Sequence, residues 1–202
     1  MNSGIANISE KYKFFIWLPP KTGTTHASFI FKHFDIQSKF FKKNGEIEVV
    51  EFRHNHSLNF FPGSEKYKFI LTARNPFTRY VSLFKFSSKK KSEELTVENF
   101  RKFFFDMVDS NDMKNYFLSH SLRLPDYSLR IEHLWTDYTN IPFIRNSKLY
   151  QSGILYDLCN KKFNSTPKLK DEELFYSQDM KDYLMTIGKK YFEFYGYDYP
   201  YS

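Results

Sequence analysis

The sequence predicts an α/β fold with a central, mainly parallel sheet flanked by helices, and three observations carry that prediction. Short apolar, β-prone runs alternate with stretches whose apolar residues have helical spacing. A strand–loop–helix unit occurs twice, at 13–34 and at 67–84, and each loop carries a cation. Apolar residues make up 41% and aromatic residues 20% of the 202-residue chain, a composition that buries a core rather than remaining disordered. At this length a single domain spanning 1–202 is the default expectation.

Residues 13–18, KFFIWL, form an apolar strand that stops at Pro19-Pro20. Ala27, Ile30, Phe31 and Phe34 then fall at i, i+3, i+4 and i+7, so a helix begins near Thr24 or Thr25. IEVVEF at 47–52 and YKFILTA at 67–73 are the next strands. Asn75-Pro76 ends the second of these, and Phe77, Tyr80, Val81 and Phe84 repeat the helical spacing. SSKKKSEE at 87–94 reads as a solvated loop, VENFRKFFFDMV at 97–108 as a helix, YSLRIE at 127–132 as a strand and 171–195 as helical. There is no internal repeat.

The formal charge of +7 favours anionic partners: a phosphorylated nucleotide, a polyanionic substrate, nucleic acid or a membrane surface. The single cysteine, Cys159, excludes an intramolecular disulfide and a multi-cysteine metal site, and no metal is expected. The N-terminus, MNSGIANISEKYK, lacks the basic start and apolar core of a signal peptide. No stretch reaches the roughly 18 apolar residues of a membrane span. A cytoplasmic protein without a membrane span is therefore expected.

The chemistry lies in the two loops, which follow strands of an α/β sheet, where ligands bind beyond the carboxyl ends. In LPPKTGTT, residues 18–25, Gly23 permits a tight turn into a helix whose free N–H groups and positive end favour an anion. Lys21 adds a point charge, and Thr22, Thr24 and Thr25 add hydroxyl donors. The order of residues departs from the nucleoside-triphosphate loop, which needs Gly, four residues, then Gly-Lys-Ser/Thr. A phosphate ligand held without metal fits better. In LTARNPFTRYVSLF, residues 71–84, Arg74 ends the strand and Ser82 follows eight residues later, on the helix; a forked guanidinium and a hydroxyl suit a second anion. Each loop taken alone is also compatible with an ordinary turn and surface ion pairing.

Together, PKTGTT and RNPFTRYVSLF resemble the sulfotransferases that use 3′-phosphoadenosine 5′-phosphosulfate (PAPS), in order and in Arg-to-Ser spacing. The resemblance implies a P-loop-like three-layer fold. It also implies that Lys21, Thr22, Gly23, Thr24 and Thr25 hold the 5′-phosphosulfate, while Arg74 and Ser82 hold the 3′-phosphate. Between the loops, EFRHNHSLNFF at 51–61 is similar to the His-x-His segment of carbohydrate O-sulfotransferases, the heparan/dermatan uronyl 2-O-sulfotransferase branch in particular. By that likeness His56 is the catalytic base and His54 its helper, with Glu51 and Glu132 as reserve bases. LRIEHLWTDY and YFEFYGYDY resemble later parts of the family, and KKFNSTPKL at 161–169 occupies the place of a late cofactor loop through Ser165, Thr166 and Lys168.

The implied reaction is transfer of the sulfuryl group from PAPS to an acceptor hydroxyl on a glycan, leaving 3′-phosphoadenosine 5′-phosphate (PAP). Arg53, Lys85 and the 87–91 run would face such an acceptor, and nucleic acid is not an expected partner. A divergent nucleotide kinase and a basic nucleotide- or nucleic-acid-binding module stay open as alternatives.

Overall fold

The computed structural model describes residues 4–41, 46–50, 61, 63–161 and 172–200. In chain order the first elements are β1 (Gly4–Ser9), β2 (Phe14–Trp17), α1 (Thr24–Phe31), β3 (Gln37–Phe41), β4 (Ile47–Val50) and β5 (Lys68–Ala73). Next come α2 (Pro76–Lys91), α3 (Val97–Asp109), α4 (Asp112–Ser121), β6 (Tyr127–Arg130) and α5 (Leu134–Thr139). The last are α6 (Pro142–Arg145), α7 (Lys148–Gln151), α8 (Ile154–Asn160), α9 (Gln178–Ile187) and α10 (Lys189–Tyr195). The chain forms two compact units, Met1–Arg74 with Pro125–Asn164, and Asn75–Leu124 with Ser165–Ser202.

The first unit holds an open six-stranded sheet in the order β4-β3-β1-β2-β5-β6. The sheet is mixed, not mainly parallel. β2, β5 and β6 run parallel, whereas β1 pairs antiparallel with both β2 and β3, and β3 with β4. The physical reason is connection length: only residues 10–13 separate β1 from β2, too few for the crossover a parallel pair requires. β1 is also hard to see in the sequence. Its Asn7 and Ser9 are buried, and Asn7 Oδ1 accepts a 2.6 Å bond from the Ser38 hydroxyl on β3, so the strand lacks an apolar signature.

One face of this sheet presents Phe14, Ile16, Ile70 and Leu129 to Ala27, Ile30 and Phe31 of α1 and to Tyr138, Ile141, Ile144 and Leu155 from the α5–α8 segment. Phe143 stacks on Phe14 with centroids 4.8 Å apart. Burying each such side chain contributes about 1.5–3 kcal/mol, so this face anchors α1 firmly over β2. Phe34, the last of the four helically spaced residues, is buried as expected but lies in a 3-10 turn beyond α1.

The second unit is helical among the described residues. The Asn75 side chain caps α2 by accepting from the Phe77 N–H at 3.0 Å, and Pro76 occupies the first turn where its missing donor costs nothing. α2 then runs through Lys91, so 87–91 is helix rather than loop. Lys89, Lys90 and Lys91 lie in its last turn, where cations complement the negative helix end, and Ser92 stops it in the left-handed region at φ 56°. Phe100 is the centre of an aromatic core, with Phe84 at 5.3 Å and Phe175 stacked at 5.1 Å. The segment expected to be helical over 171–195 breaks at Gly188, where a Cβ would come within 2.9 Å of the Phe117 ring and of the Leu184 carbonyl. No helix among the described residues is long and apolar enough to cross a membrane.

Two buried titratable groups in this unit, Lys85 and His120, have defined partners. Lys85 on α2 forms a buried ion pair with Glu172. It therefore belongs to the interior, not to an acceptor surface. His120 lies between the rings of Tyr116 and Tyr191 and bonds the Tyr116 carbonyl through Nδ1 at 2.7 Å; a carbonyl only accepts, so Nδ1 carries the proton. Burial, aided by the charge of Arg79 and opposed by that backbone bond, pushes the His120 pKa from 6.5 down to about 3. The unfolded chain therefore takes up this proton first, and stability present above pH 6.5 is lost as pH falls toward 3. In urea titrations at a series of pH values, His120 is expected to contribute a slope approaching about 1.4 kcal/mol per pH unit within that window. His120→Gln should lower stability at neutral pH and flatten that part of the profile; an unchanged slope would contradict a neutral, buried imidazole.

Candidate functional site

The site is built at the carboxyl edge of the parallel strands. Registers Trp17↔Leu71, Leu71↔Ser128 and Ala73↔Arg130 place the ends of β2, β5 and β6 side by side. Three connections therefore leave the sheet together: 18–23 toward α1, Arg74 after β5, and the turn at Ile131–His133 after β6. Among the sequence-derived site residues, this edge gathers Lys21, Thr22, Gly23, Thr24, Thr25 and Arg74.

Pro19 and Pro20 end the β2 ladder, because neither can donate a backbone hydrogen bond. Thr22 is buried and its hydroxyl donates to the Pro19 carbonyl at 2.7 Å. It also lies 2.6 Å from the Thr72 hydroxyl on β5; with the Thr22 proton already committed, Thr72 is the donor there. The Thr22 side chain thus pins the loop to the sheet from inside. Lys21 and Gly23, on either side of it, adopt left-handed backbone at φ 66° and 82°. For lysine that conformation costs about 1–2 kcal/mol, so the surroundings must impose it. Gly23 packs against Ile131, whose Cδ1 would be 3.4 Å from an added Cβ.

Gly23 is the N-cap of α1; no side chain caps this end, and the first turn holds no acidic residue. The positive helix end thus keeps its full attraction for an anion. Arg74 Nη1 donates to the Lys21 carbonyl at 3.3 Å, bringing the guanidinium onto the loop. Lys21 and Arg74 are both half-buried. Burial first, and the Arg74 charge second, lower the pKa of the Lys21 ammonium. Like charges near one uncapped helix end repel each other, and a bound anion relieves that repulsion.

Behind the loop, His26 of α1 is buried. Its Nε2 lies 3.0 Å from the Leu158 carbonyl and its Nδ1 lies 3.3 Å from the Tyr138 hydroxyl. Nε2 must donate to the carbonyl; burial lowers the pKa of the ring and favours its neutral form, in which Nδ1 accepts from the Tyr138 hydroxyl.

Ser82 is buried on α2 in the second unit, and Glu132 is exposed in the turn after β6. His54, His56, Glu51, Arg53, Ser165, Thr166 and Lys168 lie outside the described residues. Sequence reasoning missed Thr72, Ile131 and His26. Only Thr72 leaves a trace, as the polar residue inside the apolar run KFILTA.

Comparison with protein-family models, with curated proteins and with solved structures yields no match. The functional reading therefore rests on the chemistry of the site. Gly23→Ala tests the loop geometry: at φ 82° and 3.4 Å from Ile131, the added methyl is expected to lower stability by about 1–2 kcal/mol in urea denaturation. No loss would contradict a left-handed backbone at this position.

Proposed function

We propose that the chain is a sulfotransferase that uses PAPS and sulfates an acceptor hydroxyl, on a carbohydrate, by in-line transfer. The observation that carries this reading is that Arg74 bonds the Lys21 carbonyl, so that two cationic residues belong to the loop that leads into the uncapped N-terminus of α1. The resemblance of PKTGTT and RNPFTRYVSLF to the PAPS-binding motifs gives the anion its identity. In this reading the α/β body has the P-loop-like three-layer arrangement.

PAPS supplies the sulfuryl group, and the donor set at the loop suits its anionic 5′ end. The Lys21 ammonium and the backbone N–H groups at the start of α1 bind and orient that end, assisted by the Thr24 and Thr25 hydroxyls. An anion there favours the charged form of Lys21 and offsets the pKa depression caused by burial and Arg74. Arg74, with its planar fork of donors, takes the 3′-phosphate. His56 accepts the proton of the acceptor hydroxyl, a task suited to an imidazole with an ordinary pKa near 6.5, and His54 assists it. Catalysis then derives mainly from positioning and from preorganised positive charge.

Calorimetric titration without magnesium tests this directly, using PAP with ATP and 5′-AMP as controls. PAP is expected to bind in preference to both, and Lys21→Ala to weaken it at least tenfold, about 1.4 kcal/mol. His56→Ala should abolish sulfate transfer while largely sparing PAP affinity. Equal binding of PAP and 5′-AMP, or magnesium-dependent preference for ATP, would overturn the assignment.

A further inference from the structure

We infer that Asp137 and Tyr138, adjacent on α5, are positioning residues that hold the 21–25 loop in its anion-binding shape from behind. This presupposes that the loop binds the donor as proposed above. The two side chains grip the loop from opposite ends. Asp137 holds the residue that precedes the loop's wall, and Tyr138 holds the helix into which the loop feeds.

Asp137 is buried at 5% exposure and accepts three bonds from Arg130, the last residue of β6. These come from the backbone N–H at 2.7 Å, Nε at 3.1 Å and Nη2 at 2.7 Å. They fix the strand end and the turn that follows, and the first residue of that turn is Ile131, packed against Gly23. Tyr138 is fully buried and donates to His26 Nδ1 at 3.3 Å. His26 lies three residues beyond Gly23 on α1, and its Nε2 is fixed in turn by the Leu158 carbonyl of α8. A closed circuit results: Gly23, α1, His26, Tyr138, Asp137, Arg130, Ile131 and back to Gly23.

Apolar side chains at 137 and 138 would also fill this part of the core. What the polar pair adds is direction. Each bond has a preferred geometry and an unmet partner is costly, so the circuit permits one placement of Ile131 relative to α1. That is what a loop with left-handed backbone at both Lys21 and Gly23 needs, because such strain persists only where neighbouring structure over-determines it.

The test uses Tyr138→Phe, which removes one hydroxyl, and Asp137→Asn, which keeps the shape of the side chain. Two readouts are taken: backbone amide hydrogen exchange of the unliganded protein, and calorimetric affinity for PAP. Exchange over 22–27 is expected to accelerate roughly 3–10-fold in Tyr138→Phe, as for loss of one hydrogen bond, with 14–17 and 68–73 unchanged. PAP affinity should fall by a similar factor, and Asp137→Asn should act in the same direction. Unchanged exchange over 22–27 in Tyr138→Phe, or equal acceleration across all these segments, would overturn the inference. If Asp137→Asn does not fold, Tyr138→Phe decides alone. If the unmodified protein does not bind PAP, the proposed function fails, and the exchange result still decides whether α5 positions the loop.

Discussion

Parallel pairing of β2 with β5, and of β5 with β6, is the constraint from which the candidate site follows. Parallel strands end on the same edge, so whatever follows each of them is brought together without any further design. Here that brings together a lysine, an arginine and an apolar wall. The antiparallel strands β1, β3 and β4 extend the sheet on the far side of β2 and leave this edge unaltered. The packing of α1 on Phe14, Ile16 and Ile70 then fixes where the positive helix end lies.

Three physical costs meet at that edge. Lysine in left-handed backbone, two like charges in half-buried positions and an uncapped helix terminus are each unfavourable by themselves. At α2 and α3, by contrast, Asn75 and Thr96 cap their helices, and lysines complete the last turn of α2. Costs of this kind, gathered in one loop, are what a binding site tolerates. An anion resolves the electrostatic part of the conflict, since charge-assisted hydrogen bonds contribute about 1.5–3 kcal/mol each. The rest is held by Thr22–Thr72 and by the packing of Gly23 on Ile131.

Much of this was legible in the sequence because it is written in period and punctuation. The strands at 14–17 and 68–73, and the helices that follow them, show apolar spacing bounded by proline or asparagine-proline. β1 was not legible because Asn7 and Ser9 replace the apolar residues that a buried strand usually shows. The last turn of α2 was misread because lysine and serine carry no apolar period, although lysine favours a helix C-terminus. The short helices α5–α8 span too few residues to show a period at all. At the site, Lys21, Gly23 and Arg74 were legible as chemistry. Their supports were not, because Thr72 lies 50 positions from Thr22, Ile131 meets Gly23 only through the fold, and the partners that fix His26 lie 112 and 132 positions away from it.

A crystal structure of the protein grown with PAP is the most direct measurement of the central claim, that the α1 end with Lys21 and Arg74 is the donor site. The expected result is the 5′-phosphate about 3 Å from the backbone nitrogens at the start of α1 and from Lys21 Nζ, with Arg74 on the 3′-phosphate. A PAP molecule bound elsewhere with this edge empty would contradict it.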